Sequence, residues 1–244
     1  MSIPKVIYYC WFGKGKMPNL AEKCIKSWKK YCPWYKIVCI NEENFDITQN
    51  KYAKEAYDAG KWAFVSDYAR LKVLYENGGI YLDTDVELIK PIDKLIEQGG
   101  YMGFDDNGVI STGLGFACEK GNKLVASLLS DYDDISFILP DGSYDITPCP
   151  DRNTKTLISL GMDINNKNQV FMGIKMLPED YLCPMKYYTG RKKITKNTYS
   201  IHHFCASWTS ATAKRTLFLK RIVGVKLYDK LYGKFLYKFK WLEW

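Results

Sequence analysis

The 244-residue chain has no pair of cysteines in a CxxC arrangement, the usual signature of a structural zinc site. Its eight cysteines are scattered along the sequence, and most lie inside apolar stretches, where buried free thiols are common. We therefore expect neither a zinc site nor a disulfide framework. This cysteine usage is typical of a reducing compartment.

Long hydrophobic runs are also absent. The apolar run over residues 6–12 is much shorter than the roughly 20 residues that cross a bilayer, and nothing before it resembles a signal peptide. The glycine-lysine loop over residues 13–16 lacks the spacing of a phosphate-binding P-loop. We expect a cytoplasmic protein without a membrane span.

Excess positive charge is scarce outside the C-terminal part of the chain. Residues 212–244 contain nine Lys/Arg and two acidic residues, a net charge of +7, whereas the whole chain carries +8. A nucleic-acid-binding domain would carry its basic patch within the fold. The nearly neutral remainder therefore predicts no nucleic-acid partner.

The C-terminal tail, residues 213–244, combines this charge with an apolar stripe. Leu227, Leu231, Phe235 and Phe239 recur at every fourth residue, and a row of lysines runs parallel to them. The pattern predicts a basic amphipathic helix of the kind that lies on anionic membrane surfaces. The alternative is a helix docked on the preceding domain, but the concentrated charge favours the membrane.

The first 40 residues predict a strand, a helix and a second strand. A β-branched and aromatic run ends at Gly13, helical spacing follows over residues 21–31, and a second apolar run covers residues 35–40. Such a βαβ unit implies an α/β domain with a parallel sheet. A longer helix is predicted over residues 63–76, and the proline-rich residues 133–152 are predicted to form a loop.

Two carboxylates end the apolar run that follows this longer helix. We expect a strand here, in which Asp83 and Asp85, two positions apart, face the same side. Two like charges so close favour a divalent cation, whose remaining partners a phosphorylated ligand supplies. On the helix, Asp67 and Arg70 are three positions apart and are expected to be neighbours. The alternatives are a solvated turn and a simple ion pair.

Several separated motifs together resemble a known family. They are Ile3-Pro4-Lys5-Val6-Ile7, Trp11-Phe12-Gly13, Ser66-Asp67-Tyr68-Ala69-Arg70-Leu71, Gly78-Gly79-Ile80-Tyr81-Leu82-Asp83-Thr84-Asp85 and His202-His203…Ser207-Trp208. A lone D-x-D is a weak signal, but this combination is specific. It resembles the DXD-containing sugar transferases of glycosyltransferase family 32, which include capsular polysaccharide sugar transferases.

The resemblance implies a GT-A fold: one Rossmann-like nucleotide-sugar-binding α/β domain over residues 1–212, with a mixed, mostly parallel sheet, followed by the C-terminal tail. It also implies a metal, Mn²⁺ or Mg²⁺. The implied reaction transfers a hexose from a nucleoside-diphosphate sugar with retention at the anomeric carbon. UDP-hexoses and GDP-mannose are both open as donors, and the oligomeric state is open.

The same resemblance implies roles at the metal and the sugar. Asp83 and Asp85 bind the metal, with His203 as the third ligand and His202 as the alternative. Asp67 binds sugar hydroxyls, and Arg70 lies near the sugar or the phosphate.

Four further residues are implied on the donor. Trp11 stacks on the nucleotide base, and Tyr81 approaches the ribose or the diphosphate. Trp208 closes over the diphosphate, and Ser207 supports that contact. The alternative for aromatic residues at strand ends is a place in the core.

These features predict a hexosyltransferase that acts on a saccharide or a lipid-linked saccharide in the synthesis of a surface polysaccharide. We place it peripherally on the inner face of a bacterial membrane, where a lipid-borne acceptor would lie. One alternative is a toxin- or effector-like glycosyltransferase that modifies a protein. Another is a non-catalytic carbohydrate-binding protein.

Overall fold

Ten strands and eight helices are defined in the computed structural model, which describes residues 2–97, 99–205, 211–228 and 230. The strands are β1 (Val6–Cys10), β2 (Lys36–Ile40), β3 (Gly79–Tyr81), β4 (Val86–Leu88), β5 (Gly100–Phe104), β6 (Ile110–Ser111), β7 (Phe116–Cys118), β8 (Gln169–Phe171), β9 (Ile174–Leu177) and β10 (Ser200–His202). The helices are α1 (Asn19–Tyr31), α2 (Lys51–Asp58), α3 (Trp62–Asn77), α4 (Asp93–Ile96), α5 (Lys123–Ser130), α6 (Cys149–Ser159), α7 (Glu179–Leu182) and α8 (Ala211–Val223).

Eight of the strands form one mixed sheet. Its order is β2-β1-β3-β7-β5-β9-β8, with β6 paired to β5. Strands β2, β1 and β3 are parallel neighbours, β7 runs antiparallel to both β3 and β5, and β9 is parallel to β5. Five strands therefore run in one direction. The predicted α/β class with a mixed, mostly parallel sheet is confirmed.

The chain order around β1 implies a crevice beyond the carboxyl ends of the parallel strands. The first connection leads from β1 to β2 on one side, and the chain later returns to place β3 on the other side. In open α/β sheets, ligands bind at such a switch point, beyond the carboxyl ends of the strands. Here those ends are Cys10 of β1 and Tyr81 of β3.

Helix α3 is buried along most of its length, because it contacts α2, α5 and strands of the sheet. Apolar side chains such as Val65, Leu71 and Leu74 fill the core on these sides. The helix ends at Gly78, which has a φ of +67°. A Cβ there would lie 2.7 Å from the backbone nitrogen of Lys120, so only glycine fits this position.

Two local predictions are wrong. Strand β3 ends at Tyr81, so Asp83 and Asp85 lie in the turn between β3 and β4 rather than on one strand. The predicted loop over residues 133–152 ends early, because α6 begins at Cys149 with Pro150 in its first turn. Proline is tolerated in that position since the first amides of a helix have no acceptor within the helix.

Strands β4 and β10 form a second, two-stranded antiparallel sheet, in which His202 is the partner of Val86. Helix α1 packs against β4. The buried indole of Trp28 in α1 donates a hydrogen bond of 2.7 Å to the Val86 carbonyl. This small sheet therefore brings residue 202 next to the turn that holds the two aspartates.

The described part of the C-terminal tail contains α8, which contacts the rest of the molecule. Leu217 is buried, and the Arg221 guanidinium donates two hydrogen bonds to the Tyr187 carbonyl, at 3.1 and 2.9 Å. Leu231, Phe235 and Phe239 of the predicted stripe lie outside the described residues, and the boundary at residue 212 stays a prediction. Within the described part of the chain, no helix has the length and apolar composition that a membrane span needs.

Candidate active site

The turn after β3 holds the two aspartates of the DXD motif at the crevice of the sheet. The Val86 amide donates to the Asp83 carbonyl at 3.0 Å and closes the turn. Asp85 is held by the chain after β10: its carbonyl accepts from the His203 amide at 3.0 Å, and its Oδ2 accepts from the Cys205 amide at 2.8 Å. The aspartates converge because of this turn and not because of strand alternation.

His202, and not His203, lies beside the aspartates. Its Nε2 is 3.1 Å from Asp85 Oδ1. Possible ligand atoms of Asp83, Asp85 and His202 all lie within 4.8 Å of one another. The ring of His203 instead has its Nε2 2.8 Å from Glu87 Oε2. The prediction of His203 as the third ligand is therefore wrong, because its ring faces Glu87. The alternative, His202, lies beside the two aspartates.

Arg70 links the helix to the aspartate turn. Its Nη2 lies 3.0 Å from Asp67 Oδ1 and 3.1 Å from Asp83 Oδ1. The Tyr81 hydroxyl also donates to Asp83 Oδ1, at 2.8 Å, and the Arg70 guanidinium lies over the Tyr81 ring. Asp83 is thus fixed through one oxygen, and its other oxygen, Oδ2, lies against Gly113.

The pKa shifts of Asp83, Asp85 and His202 follow from their burial and from the charges of their neighbours. Burial raises the pKa of Asp83, and the Asp85 carboxylate adds to that rise while Arg70 opposes it. For Asp85, the effect of burial is outweighed by His202 and by hydrogen bonds, so its pKa is lowered. Burial alone would lower the pKa of His202, but Asp85 and Asp83 raise it. The pair of carboxylates therefore favours a positively charged neighbour.

The three side chains fit a divalent cation. Two carboxylates and one imidazole suit Mn²⁺ better than Ca²⁺, which prefers oxygen ligands alone. Ligands on opposite sides of a small cation lie about 4 Å apart at bond lengths of about 2.1 Å, so the observed spread needs only a small adjustment. In addition, His202 Nδ1 is buried and has no hydrogen-bond partner in the structure.

The remaining predicted donor-binding residues differ in their exposure and in their position relative to the aspartates. Trp11 is partly buried just after the carboxyl end of β1, where its indole donates to the Gly15 carbonyl at 2.8 Å; its stacking on a base stays a prediction. Tyr81 is only 1% exposed, and its hydroxyl supports Asp83; its contact with a ribose or a diphosphate stays a prediction. Ser207 and Trp208 lie outside the described residues.

Two residues of α6 that no sequence motif singles out belong to the same cluster. Cys149 Sγ lies 3.3 Å from Arg70 Nη1, and Asn153 Nδ2 donates to Thr112 Oγ1 at 3.1 Å. Cys149 and Asn153 are four positions apart and so share one face of the helix. This spacing was the available signal, but the prolines around Cys149 led to the prediction of a loop.

Comparison with protein families supports the sequence resemblance. Residues 18–101 match the model of a family described as a glycosyltransferase sugar-binding region containing a DXD motif. The match includes Asp67, Arg70, Asp83 and Asp85. It confirms that this part of the chain is related to glycosyltransferases that contain a DXD motif.

Two curated relatives come from the fission yeast Schizosaccharomyces pombe (strain 972 / ATCC 24843). Inositol phosphoceramide mannosyltransferase 3 is 27% identical over 145 residues, which are 56% of this chain and 39% of the relative. Inositol phosphoceramide mannosyltransferase 1 is 25% identical over 111 residues, which are 41% of this chain and 34% of the relative. The chain thus spans less than half the length of the curated relatives that it matches.

A solved structure, described as the PaToxG glycosyltransferase, has a TM-score of 0.48 and 19% identity, with 65% of this chain and 69% of that chain covered. At this level the likeness adds no detail about the site. The family match and the two relatives carry the conclusion: the crevice that holds Asp83 and Asp85 lies in a chain similar to glycosyltransferases, and its site includes a DXD motif.

Proposed function

We propose that this protein is a metal-dependent, retaining glycosyltransferase of the family 32 type, with a GT-A fold. It transfers a hexose from a nucleoside-diphosphate sugar to a saccharide or a lipid-linked saccharide. One observation carries the proposal: Asp83, Asp85 and His202 converge at the crevice beyond β1 and β3, where α/β sheets bind nucleotides.

In this proposal Asp83, Asp85 and His202 hold Mn²⁺ or Mg²⁺. When bound, the cation neutralises the negative charge that develops on the departing diphosphate. Arg70 fixes Asp83 through its Nη2 and so restrains that carboxylate beside the cation site. Tyr81 restrains Asp83 through the same oxygen as Arg70.

The donor occupies the crevice between the two strand ends. Trp11, held by its bond to the Gly15 carbonyl, stacks on the base. Asp67 accepts hydrogen bonds from sugar hydroxyls, while its other contact, to Arg70, keeps the carboxylate in place. We retain Ser207 and Trp208 as donor contacts on the grounds of the sequence resemblance. UDP-hexoses and GDP-mannose are the candidate donors.

Retention of configuration is proposed to occur by attack on the face from which the diphosphate leaves. The acceptor oxygen bonds to the anomeric carbon as the bond to the diphosphate oxygen breaks, and the hydroxyl proton passes to the departing phosphate. The carboxylates at the site already have partners: Asp67 and Asp83 contact Arg70, and Asp85 contacts His202. These contacts argue against a covalent intermediate on any of the three.

We further propose that the protein works peripherally at the inner, cytoplasmic face of a bacterial membrane, in the synthesis of a surface polysaccharide. The support is the outer side of α8, where Phe218 and Ile222 are 61% and 65% exposed and lie one turn apart. Leu227 and the basic Lys226 and Lys230 are exposed just beyond. Apolar and basic side chains on one exposed segment suit anionic lipid.

Hydrolysis of the donor tests the enzymatic proposal. Without an acceptor, we expect slow release of nucleoside diphosphate from a nucleotide sugar that depends on Mn²⁺. The Asp85→Asn variant should lose at least about 100-fold of this rate, because the cation contributes several kcal/mol. Asp58→Asn, which alters an exposed helix pair, is the matched control and should keep the rate.

Hydrolysis that persists in EDTA, or that survives in Asp85→Asn, would contradict the proposal. Donor binding without any hydrolysis or transfer would instead support a carbohydrate-binding protein. Selective thermal stabilisation by UDP-sugars or GDP-mannose identifies the nucleotide, because a ligand that binds only the folded state raises its stability. A transfer assay against lipid-linked saccharides and against small proteins separates polysaccharide synthesis from modification of a protein.

A further inference from the structure

The chain immediately after β10 has an unusual backbone that touches the aspartate turn twice. Phe204 has a φ of +53°, in the left-handed region that residues other than glycine rarely adopt. The residues on either side of it both donate backbone amides to Asp85: His203 to the carbonyl and Cys205 to Oδ2. The reversal at Phe204 therefore directs the chain so that both amides reach one aspartate.

The side chain of Phe204 lies between the metal-site histidine and a loop of the domain. Its ring meets the His202 ring edge-on, with centroids 4.4 Å apart and planes at 84°. On its other side it packs against the Tyr187 ring at 5.3 Å, again edge-on. His202 is thus restrained by Asp85 through its Nε2 and by Phe204 through its ring.

Tyr187 is in turn held from two directions. Its amide donates to Asp106 Oδ2 at 2.9 Å, which fastens it to the turn after β5. Its carbonyl accepts both bonds from Arg221 of α8. A carbonyl that accepts two hydrogen bonds from one guanidinium is well restrained in position. The contacts therefore run without a gap from α8 through Tyr187 and Phe204 to His202.

We propose that α8 is a brace for the metal site, and that Arg221 and Phe204 are positioning residues for His202. This inference rests on the proposed metal site, but it makes a separate claim: α8, which begins seven positions beyond Phe204, orients His202 in addition to stabilising the fold. Neighbours that orient a metal-bound histidine commonly change metal affinity by about 10- to 100-fold when they are replaced. The C-terminal helix then supports the metal site indirectly, through Tyr187 and Phe204.

The first test needs no metal. The chain has only two histidines, so the ring signals of the full-length protein in EDTA can be assigned by NMR with a His203→Gln variant. Arg221→Met should shift the His202 ring signals and leave those of His203 in place. Arg215→Met, an exposed arginine on the same helix, is the control and should shift neither. Unchanged His202 signals in Arg221→Met would overturn the brace.

The second test measures the affinity for Mn²⁺ alone, by the electron paramagnetic resonance signal of free Mn²⁺. Arg221→Met and Phe204→Asn should each weaken binding about tenfold. Asparagine accepts a positive φ, so it removes the ring and keeps the backbone reversal. Phe204→Tyr keeps the ring and should restore binding to within about twofold of the unmodified protein, a rescue that general destabilisation would not produce.

The two proposals fail in different ways. If the unmodified protein binds Mn²⁺ and both Arg221→Met and Phe204→Asn bind it equally well, the brace is wrong and the metal site stands. If the unmodified protein binds no Mn²⁺ although the His202 signals respond to Arg221→Met, the contact path is correct and the proposed metal-dependent function is wrong. The double variant Arg221→Met/Phe204→Asn should bind Mn²⁺ no more weakly than the weaker-binding of the two single variants, because both residues act through one shared path.

Discussion

At the scale of single residues, Arg70 is the side chain on which the candidate site depends most. It is only 4% exposed, and it contacts two carboxylates that come from different parts of the chain, Asp67 and Asp83. Burial raises the pKa of Asp67, a rise that Arg70 opposes. Removing the guanidinium would therefore leave the buried Asp67 and the half-buried Asp83 without their shared cation.

We predict that Arg70→Met lowers the free energy of unfolding by about 3–5 kcal/mol at neutral pH, the usual cost of breaking a buried ion pair from one side. Urea denaturation of the metal-free protein measures this change. Lys72→Met on the same helix removes the exposed pair with Glu76 and should cost less than about 1 kcal/mol. Equal losses in the two variants would show that Arg70 has no special role in the fold.

At the scale of elements, the aspartate turn owes its position to its neighbours. It is short, and both β3 and β4 have only three residues, so the turn cannot be rigid by itself. Helix α1 fixes the end of the turn at Val86 through Trp28, and the chain after β10 fixes the preceding residue, Asp85, through two amides. The site is thus assembled by elements that are distant along the chain.

We predict that Trp28→Phe lowers the free energy of unfolding by about 2–4 kcal/mol. The substitution removes a fully buried indole, leaves a cavity and deprives the Val86 carbonyl of its donor. Trp34→Phe is a matched control, since Trp34 is 85% exposed and the change should cost under about 0.5 kcal/mol. Denaturation curves followed by circular dichroism give both values, and a loss below 1 kcal/mol for Trp28→Phe would contradict this reading.

At the scale of the whole molecule, excess positive charge is concentrated at the C-terminal end, where apolar side chains are also exposed. Helix α8 contacts the domain through Leu217 and Arg221, and its outward side exposes Phe218 and Ile222. The sequence pattern of the tail is compatible with docking on the domain and with binding to a membrane. Because one side of α8 contacts the domain and the other side is exposed, docking and membrane binding can occur together.

We predict that the full-length protein sediments with vesicles of mixed phosphatidylglycerol and phosphatidylcholine, and that raised salt weakens this binding. A Phe218→Ser/Ile222→Ser double variant should bind at least about tenfold more weakly, because insertion of two large apolar side chains is lost. Val170→Ser, at an exposed position of β8, is the control. Binding that stays unchanged in the double variant would rule out α8 as the membrane contact.

The sequence alone determined those features of the site that depend on local spacing. The i, i+3 pair of Asp67 and Arg70 could be predicted, because helix geometry imposes it. The paired aspartates could be recognised from their spacing, although a turn and not a strand brings them together. The α/β class could also be predicted, since the hydrophobic pattern of the sequence indicates the order of strands and helices.

Only the tertiary structure decided which histidine faces the aspartates. His202 and His203 are adjacent, so successive side chains point to opposite sides, and the register of β10 against β4 selects His202. The same holds for the contacts of Cys149 with Arg70 and of Arg221 with Tyr187. These partners are 79 and 34 residues apart along the chain, and only the packing of whole elements brings them together.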